Sequence, residues 1–274
     1  MWYPKGLKLL GQIPEVKGPV TSIDPSSKSF DIISKVAGGI WELSTSTGVR
    51  SVVFPSYHQQ EGRSTLISLI GVALGYMGKR VVLVDTNLRR PSLHRLFGID
   101  VGEGIISFLE RRGVTISAGI TIDRTSPPDL EIGDLRALTA SGQLEPPALQ
   151  PLRPPVPKKP GVEEAKALLS ILYKTSFKNL SIVPAERALL KTGELLRGHR
   201  IANVFITLEA VSDLVLVDPD ALSSSADPLS IASKTDACIL VISQVSKKQD
   251  VRTLKDALDT VGANILGVII NLFT

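Results

Sequence analysis

The sequence predicts an α/β fold: a doubly wound, mostly parallel sheet with helices on both faces. Short runs of aliphatic and β-branched residues recur along the chain: VRSVVFP (49–55), KRVVLVD (79–85), LSIVP (180–184), LVLVD (214–218), ACILVIS (237–243) and ILGVIIN (265–271). They are apolar continuously rather than at alternate positions, the pattern of strands covered on both faces. Segments of helical spacing separate them. The first two runs enclose a strand–loop–helix–strand unit, from which parallel sheets are built.

Taken in order, residues 1–28 are rich in Pro, Gly, Ser and Lys and read as an extended lead-in. Residues 29–44 carry a loose helical period and predict one amphipathic helix, weakened by Gly38–Gly39. STLISLIGVALGYMG (64–78) is apolar on nearly all faces, so a buried helix is expected there, stopped by Gly78. Further helices are expected over 163–174, 201–211 and 249–261. Nine of the 18 prolines fall between 127 and 160. Proline removes donors and fixes φ, so this stretch reads as a semi-rigid surface linker, with a docking strip for a proline-recognising partner as the alternative. Residues 29–274 are read as a single domain carrying that insert.

The 274 residues are 43 % hydrophobic and 21 % charged, with a net charge of +4, an ordinary soluble globular composition. Basic pairs such as Arg89–Arg90, Lys158–Lys159 and Lys247–Lys248 are scattered, so no nucleic-acid partner is expected. The uncharged stretch 64–78 is too short to span a bilayer, and no signal-peptide order is seen at the N terminus. A cytoplasmic chain without a direct membrane span is the expectation. The lone Cys238 sits in an apolar run and reads as core. His58, His94 and His199 are isolated and have no metal-ligand spacing.

The chemistry concentrates in PSYHQQEGRST (55–65). A phosphate-binding loop reads G-x-x-x-x-G-K-[ST] between a strand and a helix. Backbone N–H groups wrap the phosphates at the helix N terminus, the lysine reaches the terminal phosphates, and the hydroxyl holds Mg²⁺. Here Gly62 and Ser64 are in place, Tyr57 stands at the first glycine and Arg63 at the lysine. Asp85 and Asp218 each end a buried strand, where a carboxylate faces the ligand crevice of a parallel sheet. With Ser64, the two could share one Mg²⁺.

The stretch EGRSTLISLIGVALGYMGKRVVLVDTNLRRPSLHRLFGI resembles the loop, helix and second Walker motif of the bacterial tyrosine kinases (BY-kinases), which have a P-loop NTPase fold and partner chain-length regulators of capsule and exopolysaccharide synthesis. That family's loop typically reads P-G-E-G-K-S-T, and its next motif D-x-D-L-R-R-P. The likeness extends upstream to LLGQIPEV (9–16) and downstream through LSIVPA, LVLVDPDAL and KTDACILVIS to ANILGVIINLF. It implies ATP or ADP and Mg²⁺ as cofactors. Gln60, Glu61, Gly62, Arg63, Ser64 and Thr65 would line the phosphates, with Ser64, Asp85 and Asp218 at the metal. Asp85, Asn87 and Asp218 would stand at the catalytic positions, and Asn271 would touch the base, as in related nucleotide-binding proteins.

The departures are as specific as the matches. Gln59–Gln60 replace Pro-Gly, so the backbone gives up glycine's freedom. Arg63 is longer and forked where a lysine is usual, and a misplaced charge-assisted bond costs roughly 1.5–3 kcal/mol, about one to two decades in affinity. Asn87 stands for a second carboxylate, and an amide cannot serve as a carboxylate base. Asp218–Pro219–Asp220 replaces D-T-P-P. Lys28, Asp31 and Ser34 occupy the positions of an E-x-x-R-x-x-R oligomerisation motif, so ring contacts are expected to be missing. The tyrosines are Tyr3, Tyr57, Tyr76 and Tyr173, so no tail substrate is expected after the last strand.

Three functions follow from this resemblance. The favoured one is a divergent, catalytically impaired family member acting as a regulator or scaffold in capsular or exopolysaccharide synthesis and export. Its partner would be a membrane-embedded polysaccharide chain-length regulator or a paralogous kinase, which would hold it at the inner face of the cell membrane. The second is an active ATP-dependent tyrosine kinase or ATPase of the same pathway. The third, a positioning ATPase of the partition or cell-division type, would need DNA or a membrane-targeting helix, and neither is read here.

Overall fold

Eight strands form one sheet in the order β1-β8-β7-β2-β6-β3-β5-β4 in the computed structural model. It describes residues 3–4, 6–16, 18–110, 162–186 and 193–272. The elements, in chain order, are β1 (Leu9–Ile13), α1 (Lys28–Thr47), β2 (Ser51–Val53), α2 (Arg63–Tyr76), β3 (Val81–Asp85), α3 (Leu93–Leu96), α4 (Ile105–Glu110) and α5 (Val162–Leu169). There follow β4 (Tyr173–Lys174), β5 (Leu180–Val183), α6 (Gly193–Arg197), α7 (His199–Val211), β6 (Leu214–Asp218), α8 (Asp227–Ala232), β7 (Ala237–Ser243), α9 (Lys248–Thr260) and β8 (Ile265–Asn271). Every pairing is parallel except β4 with β5.

The continuous apolar runs have the cause inferred from sequence. Alternate residues of each central strand enter two separate cores. Val52, Leu83, Leu216 and Ile239 face one, with α1 and α2. Val53, Val84, Val217 and Leu240 face the other, with α4, α7 and α9. Cys238 lies in the second core, where burial pushes its thiol up to about 12. Helix α2 is apolar all round because α1 covers the side that the sheet does not, burying Phe30, Ile33 and Ile40 against it. Helix α1 starts at Ser27, whose side chain accepts the Phe30 N–H at 3.2 Å, and stops at Gly48 with φ 75°. It carries Gly38–Gly39 in its interior without a break.

Two expectations are corrected at the sheet edges. The lead-in is not merely extended: Leu9–Ile13 pairs in parallel with β8, Ile13 opposite Asn271, so it closes one edge of the domain. The helix expected over 163–174 ends at Leu169, and Tyr173–Lys174 instead pair with β5. The Tyr173 hydroxyl holds that turn by accepting the N–H groups of Gly102 (3.2 Å) and Glu103 (3.3 Å) and donating to the Glu103 carbonyl (2.9 Å). Helical spacing cannot register such distant partners. The proline-rich segment 127–160 lies outside the described residues.

Candidate functional site

Strand β2 lies between β6 and β7, where successive connections run to opposite sides of the sheet, and the loop leaving β2 opens onto the crevice at that switch point. β3 and β6 are parallel neighbours in a register that places Asp85 directly opposite Asp218. The loop, both strand-tip carboxylates and the N terminus of α2 therefore converge, as the sequence implies.

Gln60 and Gly62 both adopt left-handed backbone, with φ 63° and 72°. At Gly62 this conformation is free of side-chain conflict, whereas at Gln60 it is strained. No side chain caps the N terminus of α2, so its first N–H groups are left for an anion. Glu61 is buried and anchors the loop. Its carboxylate accepts the His58 N–H at 3.0 Å, the Ser243 hydroxyl at 3.4 Å and the Ser246 hydroxyl, while its carbonyl accepts the Asn271 side-chain amide at 2.7 Å. Asn271, expected at a base, is thus fully buried and braced against the loop. His58 is exposed, as expected, but pairs with Asp250 at 2.8 Å.

Arg63 does not reach toward the space in front of the loop. It is 7 % exposed. Its Nε donates to Asp218 Oδ1 at 2.6 Å, its Nη1 to Ser56 Oγ at 2.6 Å and its Nη2 to the Pro219 carbonyl. The Ser64 hydroxyl donates to the second oxygen, Asp218 Oδ2, at 2.5 Å. Both oxygens of Asp218 are therefore taken, by the two residues that the sequence offers for phosphate and metal.

Asp85 is also fully buried and faces inward along the chain. Its oxygens accept the backbone N–H groups of Asn87 (3.0 Å), Ser92 (2.9 Å) and Leu93 (3.1 Å), fixing the turn 86–93. Burial and the nearby Asp218 carboxylate push Asp85 up to about 7 against the opposing pull of those three bonds. Asn87 accepts the Arg90 N–H at 3.1 Å. Asp220 pairs with Arg89 at 3.2 Å and accepts the Ala221 N–H at 2.7 Å, so it does not stand in for the missing second carboxylate.

A cavity of about 280 Å³ lies in front of the loop, walled by Gln59–Thr65 and faced by Asn87, Ser92, Arg90 and Arg95. The residues fit the two halves of a nucleotide–metal complex unequally. The uncapped helix terminus and left-handed loop suit a phosphate. Mg²⁺ demands oxygen ligands in near-octahedral geometry. Ser64 and Asp218 are bonded to each other, a guanidinium stands on Asp218, and Asp85 is turned to backbone. This arrangement does not fit Mg²⁺. The sequence reading named neither Ser56 nor Arg89 among the site residues, although both lie in motifs it quotes, and it missed Ser243 and Ser246, which no local motif marks.

No family model matches the chain. The tyrosine-protein kinase YwqD of Bacillus subtilis (strain 168) is 22 % identical over 253 residues, covering 92 % of this chain and 84 % of that one. The kinase domain of Escherichia coli tyrosine kinase ETK superposes with a TM-score of 0.71 at 14 % identity, over 97 % of this chain and 90 % of that chain. The chimerical protein CapA2B2 superposes with a TM-score of 0.70 at 18 % identity, over 97 % and 94 %. The fold is the P-loop NTPase fold of bacterial tyrosine kinase domains, and the resemblance carried by residues 61–99 holds along nearly the whole chain. Among the described residues, no helix is long and apolar enough to cross a membrane.

Proposed function

We propose that this chain, a relative of the bacterial tyrosine kinases, is a catalytically impaired member that acts as a regulator or scaffold in capsular or exopolysaccharide synthesis and export. The observation that carries the reading is the position of Arg63, whose three guanidinium nitrogens each donate inward, to Asp218, Ser56 and the Pro219 carbonyl. Phosphoryl transfer rests on a cation over the terminal phosphates and a free carboxylate at the metal. One residue change withdraws both. Asn87 removes the second carboxylate from the acceptor side. The retained cradle supports nucleotide binding that is weak and independent of Mg²⁺. Partners consistent with the family resemblance are a membrane-embedded chain-length regulator or an active paralogous kinase, either of which would bring the chain to the inner face of the membrane.

The test is steady-state turnover of ATP, with phosphotyrosine detection, for the wild type and Asp218→Ala in the presence of candidate partners. The proposal expects neither hydrolysis nor phosphotyrosine above the level of Asp218→Ala. Turnover abolished by that substitution would favour the second reading, an active kinase or ATPase, which the uncapped N terminus of α2 supports. There Arg63 would swing out to do the lysine's work.

A further inference from the structure

We propose that the edge of the sheet opposite the loop is a peripheral membrane face, which docks on a bilayer surface carrying anionic lipid. The loop and the carboxylates of β3 and β6 lie at the C-terminal ends of the parallel strands. Helix α2 runs away from the loop, so its last residues lie at the other end. There β3, β5 and β6 start together, with Val81 paired to both Leu180 and Leu214. Apolar side chains are exposed at this edge. Tyr76, the last residue of α2, is 57 % exposed, and Met77 is 39 % exposed. The Tyr76 ring meets Phe177, in the turn between β4 and β5, edge-on with centroids 6.3 Å apart. Nearby, Trp41 of α1 lies under the Lys79 ammonium, 4.3 Å from the ring centroid, and with Val49 and Arg50 lines a cavity of about 300 Å³.

The apolar groups are ringed by basic ones. Lys79 and Arg80 precede β3, and Lys178 precedes β5. Lys174, on the antiparallel β4, stands opposite Ser181, close to the same edge. Arg80, Lys174 and Lys178 are exposed. Arg80 is committed to Asp213 at 2.6 Å, which neutralises the carboxylate that precedes β6. Asp236, before β7, lies farther along the edge, past β6 and β2, and accepts the N–H groups of Arg50 (2.7 Å) and Ser51 (3.0 Å). Among the described residues, neither Lys174 nor Lys178 has an ion pair or a side-chain hydrogen bond. They leave unpaired positive charge beside Tyr76 and Phe177.

Nucleic acid and acidic protein segments also meet basic charge, but the side chains here favour a bilayer. The arginine fork suits a fixed carboxylate or phosphate, whereas lysine is a compact charge on a flexible stem, suited to headgroups that move beneath it. The arginine beside Lys79 is spent internally, and the charges left over are lysines. Tyrosine and tryptophan settle at the headgroup level, where one part of the ring system is wet and the other apolar. Methionine adapts its shape to an irregular surface. Exposed apolar area and nearby basic charge are the two terms of peripheral binding to anionic bilayers. A bilayer bound in this way leaves the loop, at the opposite edge, facing away from it.

The experiment is co-sedimentation of the full chain with vesicles of phosphatidylcholine alone and of phosphatidylcholine mixed with phosphatidylglycerol. Binding is expected to the mixed vesicles only, and it should fall as salt is raised. Lys174→Glu with Lys178→Glu, two exposed positions, should weaken it by about tenfold or more. Tyr76→Ser with Met77→Ser should weaken it by about fivefold or more. Thermal unfolding of both double variants checks that they fold. Duplex DNA and polyglutamate, added as competitors, should not displace the chain from the vesicles. Four results would overturn the proposal: no sedimentation at millimolar lipid, equal binding to neutral vesicles, displacement by either competitor, or binding that neither double variant weakens. The contact does not depend on Arg63, whose role turnover tests separately.

Discussion

Arg63 stands on Asp218. Its Nε lies 2.6 Å from Oδ1, with the arginine 7 % exposed and the aspartate fully buried. A loop residue and a strand-tip carboxylate that usually meet through phosphate and metal meet here directly. A buried pair of this kind is costly to break from one side only, because the survivor keeps its charge without a partner.

Arg63→Ala and Asp218→Ala should each destabilise the fold by about 3–5 kcal/mol. The double replacement Arg63→Met with Asp218→Asn should cost clearly less than the sum. Urea unfolding of the four proteins gives the coupling energy. Additive costs would mean that the pair is incidental.

Gln60 holds φ 63° without being glycine. A left-handed residue with a Cβ costs about 1–2 kcal/mol, partly offset by the greater unfolded entropy of glycine. Gln60→Gly is therefore expected to stabilise the chain by roughly 0.5–1 kcal/mol, and Gln60→Val to destabilise it. The urea midpoints of the two variants should move in opposite directions from the wild type.

Asp85 is pushed up to about 7 by burial and by Asp218. Its folded value lies above the unfolded one, so the folded state holds its proton more tightly. The stability this contributes is fully present below the unfolded carboxylate range and is lost as pH rises to about 7. Unfolding free energies between pH 4 and 8 should show the wild type losing stability relative to Asp85→Asn over that interval. A difference that is flat with pH would refute the assignment.

Asn271 braces the loop through the Glu61 carbonyl. Asn271→Ala should cost at least about 1 kcal/mol, since it leaves a buried acceptor short of a donor. It should leave any preference between ATP and GTP unchanged. A switch in that preference, measured by competition, would restore Asn271 to the base.

Most of the sheet was legible because its strands are buried on both faces, and that burial writes itself as unbroken runs such as LVLVD and ACILVIS. The meeting of the loop with Asp85 and Asp218 was legible for a similar reason: parallel strands of like length end together. The direction of each side chain was not. Arg63 turns inward because acceptors from three places, Ser56, Asp218 and Pro219, happen to suit a fork, and only one of them lies within its own loop. Asp85 is spent on the N–H groups of Ser92 and Leu93, a consequence of how residues 86–93 fold back. The edge strands Leu9–Ile13 and Tyr173–Lys174 escaped notice because each is only partly buried, without the apolar density of the centre, and the second is two residues long.

In the proposed function Arg63 occupies Asp218 in the place a metal ion would take. The decisive measurement is calorimetric titration with ATP, in magnesium and in EDTA, for the wild type and Arg63→Lys. The expected result is weak or absent wild-type binding that magnesium does not change, with a magnesium-dependent gain of about tenfold or more in Arg63→Lys. Magnesium-dependent binding by the wild type that disappears in Asp218→Ala would contradict it.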